Sequence, residues 1–213
     1  MTVMERVIKC AIVPVIVLDE VSRAVPTAKA LLAGGIDVME ITFRTAAARD
    51  AIAEVVANVP EMLVGAGTVI NLEQMETALS AGAQFIVSPG TDDSLIATCM
   101  TRNVPILPGV VSPSEIMIGL KHGLRIFKFF PSESYGGLAT IKALSGPFPN
   151  IKFLPTGGIS EKNAADYLAN PSIAAIGGSW MVPAKLINNE NYAEITEKAA
   201  IAATLARRAR KGI

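Results

Sequence analysis

Residues 125–131 read Arg-Ile-Phe-Lys-Phe-Phe-Pro. Apart from Lys128, the interior of this stretch is β-branched and aromatic, the composition of a short strand buried on both faces. Runs of the same kind recur along the chain: AIVPVIV (11–17), DVMEIT (37–42), LVGAGT (63–68), QFIVSP (84–89), PILPGV (105–110), IKFLPT (151–156) and AAIGGS (174–179). With 125–131 they make eight, spaced by roughly 20 to 26 residues, the length of one strand–helix unit. Turns rich in Gly, Pro, Thr and Ser follow them. Then come Ala-rich stretches such as VSRAVPTAKALLAGG (21–35) and TAAARDAIAEVVANV (45–59), whose apolar residues return every three or four positions, as on one face of a helix.

Strands that are apolar on both faces require cover on both faces, which means a parallel sheet under helices. Eight such units with no linker predict an α/β fold of one domain, residues 1–213, closed as a (β/α)8 barrel. The rival, an open doubly wound sheet, would favour a GxGxxG turn after the first strand, where Leu18, Asp19 and Glu20 stand instead. Residues 1–9 predict a short N-terminal helix across the bottom of the barrel. A last helix is expected over 191–211, with Arg207, Arg208, Arg210 and Lys211 meeting the negative end of its dipole.

Lys plus Arg number 19, as do Asp plus Glu, and 51% of residues are hydrophobic. Such a balance argues against a nucleic-acid or anionic-membrane partner and fits a compact enzyme, with a hint of an oligomer interface. Cys10 and Cys99 form no CxxC pair, and no apolar run approaches a bilayer span. Without a signal-peptide pattern in MTVMERVIKC, a soluble cytoplasmic protein is expected.

In a barrel of this class the chemistry lies at the carboxyl ends of the strands. Alternation puts Ile126, Lys128 and Phe130 on one face and Phe127 and Phe129 on the other. The two aromatics suit the helix-facing layer, so Lys128 points inward. A buried lysine needs a reason, because an apolar surround disfavours any ammonium. One reason is chemical: a free amine attacks a ketone, and the iminium formed acts as an electron sink. By the same alternation Val38, Glu40, Thr42 and Arg44 share a side, with Met39, Ile41 and Phe43 under the helices. Glu40 is then a candidate general acid/base and Arg44 a fork for a carboxylate at the mouth. A purely structural Lys128–Glu40 ion pair, or a lysine snorkelling from the rim, is the alternative.

Two glycine pairs, Gly157-Gly158 after the seventh run and Gly177-Gly178 before Ser179, stand where phosphate commonly binds in such barrels. Gly65-Ala66-Gly67-Thr68 could present backbone amides and a hydroxyl to a carboxylate. His122 reads as a helix C-terminus and Asp92-Asp93 as a helix N-terminus. No acidic or His cluster has metal-ligand spacing.

These segments, EITFRT (40–45), GAGTV (65–69), SPG (88–90), PGV (108–110), FKFFP (127–131), PTGGI (155–159) and GGSW (177–180), resemble the bacterial 2-keto-3-deoxy-6-phosphogluconate (KDPG) aldolase family over nearly the whole chain. Members often act on 4-hydroxy-2-oxoglutarate as well. The resemblance implies a homotrimeric barrel that cleaves KDPG to pyruvate and glyceraldehyde 3-phosphate in the Entner–Doudoroff pathway, with no metal or organic cofactor. It makes Lys128 the Schiff-base lysine and Glu40 the acid/base, with Arg44 and Thr68 on the pyruvate carboxylate. Pro89 and Phe130 would line the pocket, Thr156 would lie beside the substrate hydroxyls, and Gly157, Gly158, Gly178 and Ser179 would take the phosphate. Two positions depart from the family pattern: Phe43 where Leu is expected, and Ser132 where Ala is usual. Ser132-Glu133-Ser134-Tyr135 also brings an acid and a phenol to the rim.

Other readings use the same residues differently. A decarboxylase would keep the lysine but needs no phosphate turns. An aldolase of the galactonate series would keep both, and a non-catalytic phosphosugar-binding barrel would keep the turns alone.

Overall fold

Each of the eight apolar runs contains strand in the computed structural model, which describes residues 1–211. Helix α1 (Val3–Cys10) precedes strand β1 (Ile12–Ile16). A 3-10 turn (Val21–Arg23) leads into α2 (Ala24–Ala33), followed by β2 (Val38–Thr42), α3 (Ala48–Asn58), β3 (Leu63–Gly67), α4 (Leu72–Ser80), β4 (Phe85–Val87) and α5 (Asp93–Thr101). The fifth run is split into β5 (Ile106–Leu107) and β6 (Gly109–Val110) around Pro108, which has no N–H for a ladder bond. After α6 (Pro113–Lys121) come β7 (Ile126–Phe129), a second 3-10 turn (Glu133–Tyr135), α7 (Gly137–Ser145), β8 (Lys152–Pro155), α8 (Ala164–Ala169), β9 (Ile176–Gly178), α9 (Ala184–Asn188) and α10 (Tyr192–Lys211).

All strand pairings are parallel, in a six-stranded sheet of order β5-β4-β3-β2-β1-β9 and a three-stranded sheet β6-β7-β8. Two parallel bridges, Phe153–Ile173 and Thr156–Gly177, join β8 to the β9 segment. On the other side only Pro108 lies between β5 and β6, and its carbonyl accepts from Lys128 N at 2.9 Å. The helices cover the outer face of the sheets.

The alternation read from sequence is the division between two apolar clusters. Val13, Val38, Leu63, Phe85, Val87, Leu107, Leu154 and Ala175, drawn from both sheets, form a small inner cluster, with Ile126 packed against it. Met39, Ile41, Phe127, Phe129 and Phe153 join the larger outer cluster under the helices. Phe129 and Phe153 meet edge-on there, with ring centroids 6.1 Å apart.

Helix α1 starts from a capping box in which Thr2 and Glu5 satisfy each other's backbone N–H groups. Val7 then enters the inner cluster, so the helix covers one end of the strands as expected. The C-terminal cations fall in the last turns of α10, as expected, and one of them reaches further. Arg210 does not cap its own helix but donates to the carbonyls of Ile8 and Ala174, tying α10 to α1 and to the approach of β9. A long side chain near a helix end can reach neighbouring carbonyls as readily as its own.

Helix α10 also crosses α2 at Gly34, where an added Cβ would lie 2.4 Å from Ala199 Cβ and 2.7 Å from Thr196 O. Gly34→Ala should therefore force the helices apart and destabilise the protein by about 1–3 kcal/mol, the usual range for overpacking. A lowered urea midpoint at unchanged slope would show it; an unchanged midpoint would mean that this crossing has slack.

Candidate active site

Lys128 and Glu40 come from β7 and β2, which lie in different sheets and face each other across the interior. Lys128 Nζ donates to Glu40 Oε1 at 3.3 Å, and the two residues are 3% and 1% exposed. A lysine and a glutamate this deeply buried are held only as a pair, because each charge alone would carry a heavy desolvation cost. The pairing is incomplete: Glu40 Oε2 is buried and finds no hydrogen-bond partner among the described residues. A purely structural ion pair would be expected to satisfy both oxygens. A carboxylate oxygen left open beside an amine is suited to a ligand's proton.

Glycines make room for this pair. In β3, Gly67 sits where a Cβ would lie 2.0 Å from Glu40 Oε1 and 2.5 Å from its Cγ, so the Glu40 side chain rests directly on the glycine backbone. Gly65, opposite Glu40 in register, gives its space to the Phe85 ring at 2.2 Å. Gly109, opposite Lys128, faces the Pro89 carbonyl, 2.1 Å from where its Cβ would be. The Gly65–Thr68 stretch was read as a source of ligand-facing amides; Gly65 and Gly67 are instead strand positions whose missing side chains admit Phe85 and Glu40. Glycines spaced two apart inside a strand are the signal that points to such a contact.

The other candidates lie at the carboxyl ends of the strands. Phe130 is half-buried, its ring centroid 5.3 Å from Lys128 Nζ. Thr68 follows β3 with φ of 57°, a left-handed conformation that costs a non-glycine residue about 1–2 kcal/mol. Its hydroxyl accepts from Arg44 Nε at 3.1 Å. Arg44 is exposed, and its terminal nitrogens make no protein hydrogen bond among the described residues. Thr156, at the end of β8, buries an unpartnered Oγ1 against Gly177.

The two glycine pairs differ. Gly157 and Gly158 form a true turn, with φ of 98° and 81°. The N–H groups of Gly157, Gly158 and Ile159 find no protein acceptor among the described residues, which leaves a cluster of amide donors able to bind an anion. Gly177 and Gly178, read as a turn, are in β9 itself. They are glycine because a Cβ on Gly177 would meet Thr156 Oγ1 at 2.3 Å, and one on Gly178 the Trp180 ring at 2.3 Å. Ser179 follows them, exposed. His122 and Asp92 stand apart from the site. His122 caps α6 and pairs with Asp93 at 2.8 Å, and Asp92 caps α5, accepting from Leu95 N at 2.7 Å. The Asp92 carboxyl is held below its ordinary range by hydrogen bonds from Ser94 and Leu95. Among the described residues no three His, Cys, Asp or Glu side chains gather as a metal would need.

An inward amine touching a carboxylate in a curled parallel sheet, with anion donors above it, is the equipment of a lyase that works through a lysine imine. The comparisons with known proteins agree. The family model for the KDPG and KHG aldolases matches residues 3–198. The chain is 48% identical over 188 residues to the KHG/KDPG aldolase of Escherichia coli (strain K12), covering 88% of each chain. It is 45% identical to the 2-dehydro-3-deoxy-phosphogluconate aldolase of Treponema pallidum, covering 92% of this chain and 93% of that one. Among solved structures it is similar to KDPG aldolase from Legionella pneumophila with pyruvate captured as a covalent carbinolamine intermediate. That match has 43% identity, a TM-score of 0.91, and coverage of 95% of this chain and 98% of the other. The chain belongs to the KDPG and KHG aldolase family.

The fit of Glu40 on Gly67 gives a direct test. Gly67→Ala should leave the fold intact but displace the carboxylate, lowering kcat by about 10- to 100-fold, as an ångström-scale misplacement does. An unchanged kcat would show that the resting position of Glu40 is unimportant.

Proposed function

We propose that this chain is a class I aldolase that cleaves KDPG to pyruvate and glyceraldehyde 3-phosphate and accepts 4-hydroxy-2-oxoglutarate as a second substrate, giving pyruvate and glyoxylate. The observation that carries this reading is the buried Lys128–Glu40 contact with one glutamate oxygen unpartnered. The Legionella relative, with its pyruvate carbinolamine, supports the same chemistry.

Lys128, with its proton passed to Glu40 across the 3.3 Å contact, attacks C2 of the keto acid to give a carbinolamine. Loss of water leaves an iminium conjugated to the carboxylate. Glu40, once more ionised, takes the proton of the C4 hydroxyl as the C3–C4 bond breaks, and the electron pair moves into the iminium to give an enamine. The aldehyde leaves. Glu40 returns the proton to C3, and water hydrolyses the imine to release pyruvate and the amine. Phe130 and Pro89 are assigned to the pocket lining, Phe130 on the strength of its ring 5.3 Å from Lys128 Nζ.

Arg44 and Thr68 are assigned to the substrate carboxylate; the exposed terminal nitrogens of Arg44 and the strained position of Thr68 support this. Thr156 is assigned to a substrate hydroxyl, on the strength of its unpartnered Oγ1. The phosphate is assigned to Gly157, Gly158, Gly178 and Ser179, with the open amides of the 157–159 turn as the main support. A decarboxylase would have no use for such a turn.

The same reading extends to architecture. The β8–β9 bridges and the continuity of β5 with β6 support closure of the two sheets into one eight-stave (β/α)8 barrel over a single domain. Exposed Ile70, Leu72, Met100 and Met117, on or beside α4, α5 and α6, support burial in a homotrimer. No helix among the described residues is long and apolar enough to cross a membrane, which accords with the cytoplasmic setting expected for this metabolism.

Borohydride reduction in the presence of pyruvate should attach one pyruvate-derived group to Lys128 and abolish activity, as read by peptide mass. Lys128→Ala should lose both adduct and turnover. Glu40→Gln should still trap pyruvate while kcat falls by about 10²- to 10⁴-fold. An active Lys128→Ala protein, or an adduct on another lysine, would end the reading.

A further inference from the structure

Directly after β7 the chain contains a polar contact with no part in the imine chemistry. Ser132 and Tyr167 are both buried, and their hydroxyl oxygens lie 3.0 Å apart. The Tyr167 hydroxyl also donates to Glu133 Oε1. A phenol has one proton, so with that proton on the Glu133 bond the Ser132 hydroxyl must be the donor to Tyr167. The order is therefore Ser132 to Tyr167 to the Glu133 carboxylate. Burial and the Glu133 contact push the Tyr167 phenol up to about 12, so it remains a donor throughout the neutral range.

This chain of hydroxyls ends against the glycine turn. The Cβ and Cγ of Glu133 lie 2.6 Å and 2.4 Å from where a Cβ on Gly158 would stand, so its side chain lies flat on that glycine. Ser132 N donates to Thr156 O at 2.8 Å, Glu133 N to Gly157 O at 3.1 Å, and Asn163 Nδ2 to Gly158 O at 3.1 Å. Three successive carbonyls are thus engaged by residues 132, 133 and 163. In a trans peptide the N–H points opposite its carbonyl. Engaging those carbonyls aims the N–H groups of Gly157, Gly158 and Ile159 the other way, and none of the three finds a protein acceptor among the described residues.

We infer that Ser132, Tyr167 and Glu133 are positioning residues that hold the 156–158 turn in its anion-receiving shape and thereby set the preference for phosphorylated over unphosphorylated 2-keto-4-hydroxy acids. The inference rests on the aldolase reading above. None of the three residues touches the reacting atoms; they act through the direction of backbone amides. Glu133 is exposed, so its placement depends on the buried phenol that holds it.

Tyr167→Phe removes the hydroxyl and keeps the ring. Its KM for KDPG should rise by about 3- to 10-fold, the value of one hydrogen bond. The inhibition constant of inorganic phosphate against 4-hydroxy-2-oxoglutarate cleavage should rise in parallel, while kcat/KM for 4-hydroxy-2-oxoglutarate stays within about twofold of the parent. Ser132→Ala should shift the same quantities in the same direction by less, and it serves alone should Tyr167→Phe not fold. A parallel loss on both substrates, or no change on either, overturns the inference and leaves the aldolase reading standing. If the parent enzyme itself shows neither phosphate inhibition nor a lower KM for KDPG, the phosphate assignment of the turn fails, and this inference with it.

Discussion

The structure is organised around the removal of one ammonium and one carboxylate from water. Lys128 and Glu40 can stay buried only by remaining within reach of each other, and they come from strands in different sheets. That single contact constrains the register of β2 and β7, the side chains allowed on β3 and β6, and the curvature that brings the two sheets face to face. Gly67 and Gly109 are consequences of it: one lets Glu40 lie down along β3, and the other lets the Pro89 carbonyl approach the strand beside Lys128. An apolar pair at the same two positions would be easier to bury. The polar pair leaves one of its oxygens without a partner among the described residues, as the proposed proton transfers would require.

Around this pair the polar groups grade from dry to wet. The amine, the carboxylate and the Thr156 hydroxyl are enclosed, the Phe130 ring beside them is half-buried, and Arg44 and Ser179 are exposed. An electrostatic contact is worth more where water is excluded, so the proton transfers proposed for this pair would fall where such contacts are strongest. The proposed recognition of the charged ends of a substrate would fall where groups can desolvate gradually. The left-handed backbone at Thr68 lies in the same outer layer, where its hydroxyl accepts from the exposed Arg44.

Much of this was legible from residues 125–131 and their seven counterparts. Alternation alone separated Lys128 and Ile126 from Phe127 and Phe129, and the two apolar clusters follow that division. The pairing of Lys128 with Glu40 was accessible because charged residues inside apolar strands are few. The roles of Gly65, Gly67, Gly177 and Gly178 were misread as turn chemistry, because a glycine in sequence does not say whether it serves a positive φ or a close neighbour. The neighbours in question, Phe85, Thr156 and Trp180, come from other segments or from two residues onward, and only the folded chain brings them there. The reach of Arg210 was hidden for a related reason: helix-end electrostatics is local, whereas its acceptors are carbonyls at residues 8 and 174. The Ser132–Tyr167 contact links positions 35 residues apart, and no periodicity reports such a pair.

The tie between Arg210, Ile8 and Ala174 has a further meaning. It gathers the first helix, the last helix and the start of β9 at the amino ends of the strands, the side away from the lysine's mouth. Sequence added to either terminus would therefore emerge on the side away from the Lys128–Glu40 pair, clear of the route proposed for small molecules. Tethering to a surface or to another domain at these ends is compatible with full access from solvent, a separation of handle and working face that makes the scaffold well suited to fusion.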